Sequence, residues 1–547
     1  MHKLATFAVL GLLASTAAAQ SSTDLTGLWQ ATLRWGPDVH GPLLIYQTPR
    51  GWTAEIAGFK VPAAQTGQTF SFKLPGGNGE LRDGFWISEL NFATPVSLAP
   101  AGPNRWRAEI NPVDDRAEVF LPITREPDGT FRTYIRELRR NFGFFLRAKR
   151  IEVNGSDVRL VGSILRGPDT VTLSRGRYEG TISLPMRGVT FDFTRVRDTA
   201  NSPFYPLGHP PARYHYAPPV QLDDGWPVGT LEEVGISRDS IEKFVQSMID
   251  LKMDSMSTLQ LHSLLIARHG KLVLEEYFHG NSRDQPHDTR SASKSWMAVL
   301  IGAAMQSGVP IRINMPVYQT MGVSTNDPRK QAMTLEHLIT MTAGFNCDPD
   351  DSTSADEDQM NQRGIQDWYH YTMNVPLVSA PGEKIFYCST EPNLAGGMLA
   401  KVSGKPLIVL FDSLVARPLQ LSNYHLGLRD GDFYGGGGSR FTTREFAKMA
   451  QLMLNEGRWS GKQILSREWV RQSGAALRDL GTTQQYGFLW NSMEFDYRGR
   501  KVRAIFAGGN GGQVSMEIPE LDLVVAYTGG NYGTRGLNAQ LLLPAVQ

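Results

Sequence analysis

The rhythm of apolar and polar positions changes twice along this chain. From about Thr23 to Val196 the apolar residues come in short strand-type runs, at 28–33, 43–47, 52–56, 70–74, 106–110, 119–123 and 131–135. Turn residues such as Asp128-Gly129 and Pro75-Gly76-Gly77 punctuate them. Runs at 151–153 and 158–160 flank Asn154-Gly155, a dipeptide suited to a tight turn, and predict a hairpin. Further strands are expected around 171–173, 178–184 and 189–193. Many short strands with no helix between them predict an all-β antiparallel barrel or sandwich, and a period of two does not choose between these.

The rhythm breaks at 201–227, where Pro203, Pro206, Pro210, Pro211, Pro218, Pro219 and Pro227 fall among Tyr and His. Proline at this density resists helix and interior strand alike and predicts a stiff connector. Beyond it helical and strand patterns mix. Helices are expected at 237–251, 335–341 and 442–456. Strands are expected at 263–268 and 272–278, joined as a hairpin by His269-Gly270-Lys271, and again at 504–506, 514–518 and 523–528. The predicted organisation is a multidomain chain: 1–19 a leader, 20–200 an all-β accessory domain, 201–227 a Pro-rich linker, and 228–547 an α/β (α+β) domain.

The leader assignment rests on Lys3, an apolar run at 4–13, and the small residues Ala17-Ala18-Ala19 before Gln20, the pattern of a secretory signal peptide. That run is too brief to span a bilayer, and no later stretch is long and apolar enough to do so. An exported protein, periplasmic or secreted, with no integral membrane segment is expected. Its 547 residues are 41% hydrophobic and 20% charged, a globular balance for more than one domain. A formal net charge of +1 gives no support for nucleic acid as a partner. One stretch, 131–150, interleaves Arg132, Arg136, Arg139, Arg140, Arg147, Lys149 and Arg150 with Phe142, Phe144 and Phe145. It reads as strands with a solvated basic face and inward aromatics rather than as a polyanion surface. The acidic loop 348–358 likewise reads as a solvated loop. Cys347 and Cys388 are the only cysteines; in an oxidising compartment they are expected to pair, the other reading being two buried thiols. They have too few companions for a zinc site, and no metal or cofactor is expected.

The candidate chemistry lies in Thr289-Arg290-Ser291-Ala292-Ser293-Lys294, followed by an apolar helical run at 296–305. Ser291 and Lys294, three apart, share a helix face, so the amine can reach the hydroxyl. A desolvated amine can take the proton that keeps serine a poor nucleophile. The apolar run would bury the helix and drain water from the lysine. A second Ser-x-x-Lys, Ser240 to Lys243, lies on what reads as a surface helix beside Asp239 and Glu242. Downstream, Pro381-Gly382 leads to Tyr387-Cys388-Ser389, with Asn393-Leu394-Ala395-Gly396-Gly397 opening a helix. A glycine run, Gly435 to Gly438, follows, and near the end Ala507-Gly508-Gly509-Asn510-Gly511-Gly512-Gln513 separates two strands.

In this order the three segments resemble the motifs of the serine β-lactamase and penicillin-binding-protein group of hydrolases. From about Leu231 onward the chain is similar to class C β-lactamases, family VIII carboxylesterases and 6-aminohexanoate-dimer hydrolases, the last through the Gly-Asn-Gly-Gly-Gln segment and the cysteine pair. The resemblance covers the second domain only. It implies that Ser291 is the nucleophile, that Lys294 and Tyr387 share the base role, and that Ser389 orients Lys294 by hydrogen bonding. It also implies an oxyanion site made by the N–H of Ser291 and one from the Gly511, Gly512, Gln513 segment on an edge strand. Aligning Gly509-Asn510-Gly511 with the third motif puts glycine where lysine or histidine usually stands, which removes a contact for a substrate carboxylate. An esterase or amidase acting on a small or short peptide-like ester or amide is therefore expected ahead of a cell-wall D,D-peptidase or β-lactamase. A reading from another class is a non-catalytic binding protein whose β domain captures a glycan or polymer.

Overall fold

The computed structural model describes residues 25–34, 39–114, 116–137, 150–154, 157–161, 170–175, 180–186, 189–480, 483–532 and 534–547. The leader assignment and residues 138–149 of the basic stretch lie outside these. The hairpin predicted around Asn154 pairs Arg150–Asn154 with Asp157–Val161, Asn154 opposite Asp157.

The N-terminal strands form a barrel. A nine-stranded antiparallel sheet closes on itself because Gly27–Arg34 pairs with Val189–Arg195 on one side and with Arg116–Arg125 on the other. Its inward apolar residues, among them Trp29, Val119, Leu121, Ile182, Phe191 and Phe193, make a separate core. Between Gly27–Arg34 and Arg116–Arg125 the chain leaves the barrel as a meander of strands from Gly41–Thr48 to Arg105–Ile110. Its strands Phe59–Thr66, Glu80–Arg82, Phe85–Ile87 and Phe92–Pro95 lie outside the runs expected from the sequence; in Phe59–Thr66 Pro62 interrupts an alternation whose Phe59, Val61 and Ala63 pack on the meander's core.

The meander does not end at the barrel. Phe92–Pro95 pairs antiparallel with Tyr424–Arg429 of the C-terminal region, placing Ala93 opposite Leu426, and one sheet continues across both parts of the chain. Arg136, expected on a solvated face, is buried against residues 255–258 instead. Its guanidinium donates to the carbonyls of Ser255 and Thr258, and Tyr134 donates to the Met253 carbonyl. Residues 201–227 carry no helix or strand but pack on the C-terminal sheet, with Trp226 buried and the Tyr216 hydroxyl donating to the Val273 carbonyl at 2.8 Å.

The C-terminal region is built on an eight-stranded antiparallel sheet, whose middle runs Leu261–Arg268, Leu523–Gly529, Gln513–Ile518, Arg500–Gly509. All eight residues of Leu261–Arg268 are buried, as a strand covered on both faces requires. Leu265 and Ala267 join one core, Leu264 and Ile266 another. The first core holds the helices Ser293–Gln306, Thr390–Ser403 and Thr443–Leu454. The second holds Arg238–Ile249 and the C-terminal turns. Arg238–Ile249 and Thr443–Leu454 begin where an N-cap hydroxyl is available: Ser237 accepts from the Ser240 N–H and Thr442 from the Glu445 N–H. The helix after Tyr387 begins at Thr390, three residues before the predicted Asn393.

Candidate active site

Ser291 lies in a single tight turn, Arg290–Ala292, immediately before the helix Ser293–Gln306. Every residue from Ser293 to Ala304 is buried, so the helix is hydrophobic all round and belongs in the interior. Arg290 stands at φ 49°, a left-handed conformation that a non-glycine residue holds only when its surroundings enforce it. Here they do. Asp288 accepts from the Arg290 N–H at 2.8 Å and pairs with its guanidinium at 3.5 Å, and the Arg290 Nε donates to the Tyr532 hydroxyl at 2.9 Å. The Gly438 N–H donates to the Arg290 carbonyl, and the Thr289 N–H to the Ser439 carbonyl.

Lys294 is 1% exposed, and its Nζ donates to Ser291 Oγ at 3.1 Å. Its second partner is the backbone carbonyl of Gly436. The Tyr387 ring centroid lies 4.9 Å from the same Nζ. The three side chains singled out in the sequence therefore meet, with one qualification: Tyr387 is 51% exposed, at the mouth of the site rather than inside it, beside the exposed Phe386. Ser389 is buried but sends no hydrogen bond to Lys294 among the described residues. The Gly436 carbonyl occupies that role, because the glycine run comes close enough to put a backbone oxygen on Nζ. A Cβ at Gly436 would strike the Tyr434 ring and the Ser389 carbonyl oxygen, and one at Gly435 the Pro392 carbonyl oxygen, so this run wedges between the second motif and the helix Ser293–Gln306 only as glycine. Four consecutive glycines were the sole signal of this in the sequence, and a backbone carbonyl leaves no side-chain trace.

The third segment is a turn between two interior strands. Arg500–Gly509 and Gln513–Ile518 are each paired on both sides, so the expected edge strand is corrected: the sheet continues past them through Asn491–Tyr497. Gly511 and Gly512, both at φ 88°, make the turn. The buried Gln513 side chain braces it, donating to the Gly529 carbonyl at 2.7 Å and accepting from the Gly529 N–H at 3.2 Å. Gly509, opposite Gln513 in the ladder, lies against the Thr289 carbonyl and the Ala292 N–H at the Arg290–Ala292 turn.

Cys347 and Cys388 form a disulfide, S–S 1.94 Å, directly beside Tyr387. The acidic loop is tied down as well: Tyr434 donates to Glu357 at 2.7 Å and Thr390 to the Ala355 carbonyl at 3.1 Å. The other Ser-x-x-Lys is a helix cap, with Ser240 donating to Ser237 at 3.0 Å and Lys243 exposed. Among the described residues no single helix is long and apolar enough to cross a membrane.

A buried lysine on a serine at the head of an apolar helix, closed in by a tyrosine segment and a glycine turn, defines the serine-active hydrolase class to which penicillin-binding proteins belong. The chain belongs to the beta-lactamase family, whose model matches residues 256–540. Among solved structures it is similar to a family VIII carboxylesterase at 18% identity, covering 56% of this chain and 95% of that one with a TM-score of 0.45. It is also similar to a penicillin-binding-protein homologue from Caulobacter crescentus at 16% identity, covering 56% and 95% with a TM-score of 0.43. A third is EstCE1, a hydrolase with promiscuous acyltransferase activity, at 16% identity, covering 56% and 97% with a TM-score of 0.45.

Proposed function

We propose that this protein is a serine hydrolase that cleaves an ester or amide bond of a small or short peptide-like substrate through an acyl-enzyme on Ser291. The observation that carries the reading is the 3.1 Å hydrogen bond between a fully buried Lys294 and Ser291 Oγ. Ser291 attacks the carbonyl carbon as the neutral Lys294 amine takes its Oγ proton; Lys294 then passes a proton to the Tyr387 oxygen as the Tyr387 hydroxyl gives its own to the leaving group, so the two share the base role. The N–H of Ser291 and one from the Gly511, Gly512, Gln513 segment hold the oxyanion; loss of one such donor raises a barrier by about 3 kcal/mol. Water releases the acyl group by the reverse proton path. The third-motif segment offers no cation to a substrate carboxylate, which favours uncharged esters and amides over penicillins and cell-wall peptides. The Cys347–Cys388 bridge supports a place in an oxidising compartment, the periplasm or outside the cell.

Ser291→Ala tests this reading. It should abolish turnover of p-nitrophenyl esters and adduct formation with a fluorophosphonate probe while leaving the thermal unfolding midpoint unchanged. Full turnover in that variant overturns it. A panel of esters, linear amides, D-aminoacyl amides and β-lactams then ranks the substrate classes.

A further inference from the structure

Glu391 is a buried acid for which the proposed chemistry has no use. It sits four residues past Tyr387, in the first turn of the helix Thr390–Ser403, and none of its surface is exposed. Its Oε2 accepts a long hydrogen bond, 3.5 Å, from the Ala343 N–H, and Oε1 has no hydrogen-bond partner. Burial pushes the carboxyl well above the ordinary carboxylate range, and the Ala343 N–H pulls the other way without offsetting it. A helix N-terminus favours an anion in its first turn. Desolvation outweighs that preference here and disfavours the charged form.

Ala343 belongs to the turn behind Tyr387. Met341 in that turn is held at φ 56°, a conformation that needs outside support. The turn carries the whole approach to the tyrosine: the Met341 carbonyl accepts from the Phe386 N–H at 2.9 Å, the Thr342 carbonyl from the Gly382 N–H at 2.8 Å, and the Gly344 carbonyl from the Val378 N–H at 2.8 Å. With half its surface in solvent, Tyr387 is not held over Lys294 by packing. The backbone on either side must do it. Phe386 anchors the near side; on the far side the disulfide at Cys388 and the grip of Glu391 on Ala343 bring the new helix back to the same turn.

We propose that Glu391 is a positioning residue for Tyr387, whose carboxyl clamps the helix following the tyrosine onto the turn supporting the segment before it. The inference rests on Tyr387 belonging to the catalytic machinery. A clamp of this kind needs a side-chain acceptor at that spot, which glutamine supplies and leucine does not.

The test uses the full chain as wild type, Glu391→Gln and Glu391→Leu, with kcat and KM on a p-nitrophenyl ester, fluorophosphonate labelling of Ser291, and thermal unfolding of each. A misplacement of about 1 Å at a reacting group lowers rates about 100-fold, so the folded Leu variant should lose kcat on that order with KM unchanged. Glu391→Gln should keep most of the wild-type kcat. Should the leucine variant fail to fold, Glu391→Asp, which draws the acid back from Ala343 by one methylene, replaces it with the same expected loss. The proposal is overturned if the folded Leu or Asp variant turns over at the wild-type rate, if Gln is as slow as Leu, or if activity falls only with the folded fraction. Wild-type protein that does not label at Ser291 strikes the hydrolase reading itself, and the clamp with it.

Discussion

Gly509 lies so close to the nucleophile turn that a Cβ there would run into the Thr289 carbonyl oxygen, and would also crowd the Ala292 N–H at 3.2 Å. Neither partner is the yielding tip of a flexible side chain. Gly509→Ala should therefore displace Ser291 rather than be absorbed, with kcat/KM falling about 100-fold on a p-nitrophenyl ester. Circular dichroism should remain that of the wild type. An alanine variant with undiminished kcat/KM would show that the contact has no part in placing the serine.

The unequal burial of Lys294 and Tyr387 separates their roles by mutation. Lys294→Met removes the only side chain hydrogen-bonded to Ser291 Oγ among the described residues and should leave no measurable acylation. Tyr387→Phe keeps the ring over Lys294 Nζ but removes the phenol hydroxyl, and should lower kcat by about 10²- to 10⁴-fold, the range for losing a general acid or base. Stopped-flow acylation of both variants checks this; a phenylalanine variant at the wild-type rate assigns the proton path to Lys294 alone.

The Cys347–Cys388 bridge closes a loop 41 residues apart in sequence. A loop of that size stabilises the fold by about 4 kcal/mol when only the entropy of the unfolded chain is counted. Cys347→Ser with Cys388→Ser should lower the thermal midpoint by several degrees and weaken kcat more than KM, because the bridge adjoins Tyr387. Calorimetry of the double variant beside the wild type measures the first effect, and an unchanged midpoint would refute it.

Glu517, buried in Gln513–Ile518, has its carboxyl pushed up to about 8 by desolvation, which Arg503 opposes and Glu520 reinforces. Between its unfolded value near 4.5 and about 8 the native state holds a proton that the unfolded chain has lost. The stability it contributes is complete below about pH 4.5 and drains away as pH rises to about 8, with a slope of at most about 1.4 kcal/mol per pH unit from this one group. Urea midpoints at pH 5.5, 7 and 8.5 should fall in that order, and Glu517→Gln should flatten the trend. A variant with the wild-type slope would assign the alkaline loss elsewhere.

Much of the catalytic end of the molecule was readable because it is local. Ser291 and Lys294 meet through helix geometry over one turn, and the apolar run that buries them is continuous with the motif. The helices from Arg238 and Thr443 start at Ser and Thr caps that act over three residues. The cysteine pairing followed from there being two cysteines in a chain read as exported. What escaped was carried by backbone or by distance. Gly436 acts through a carbonyl, Gly509 through having no side chain, and Glu391 through an environment its own neighbours do not announce. Arg136 looked solvated because its burial comes from residues 255–258.

The sequence by itself determined the all-β character of the N-terminal part, the order of the three motifs and the serine–lysine pair, since each depends on side chains close together along the chain. Only the tertiary structure decided that the β strands close into a barrel, that the meander shares a sheet with the C-terminal region, and that Tyr387 stands at the mouth of the site. Those depend on pairing such as Trp29 with Leu121 and Ala93 with Leu426, where the partners lie far apart along the chain and hydrogen-bond through backbone atoms common to every residue.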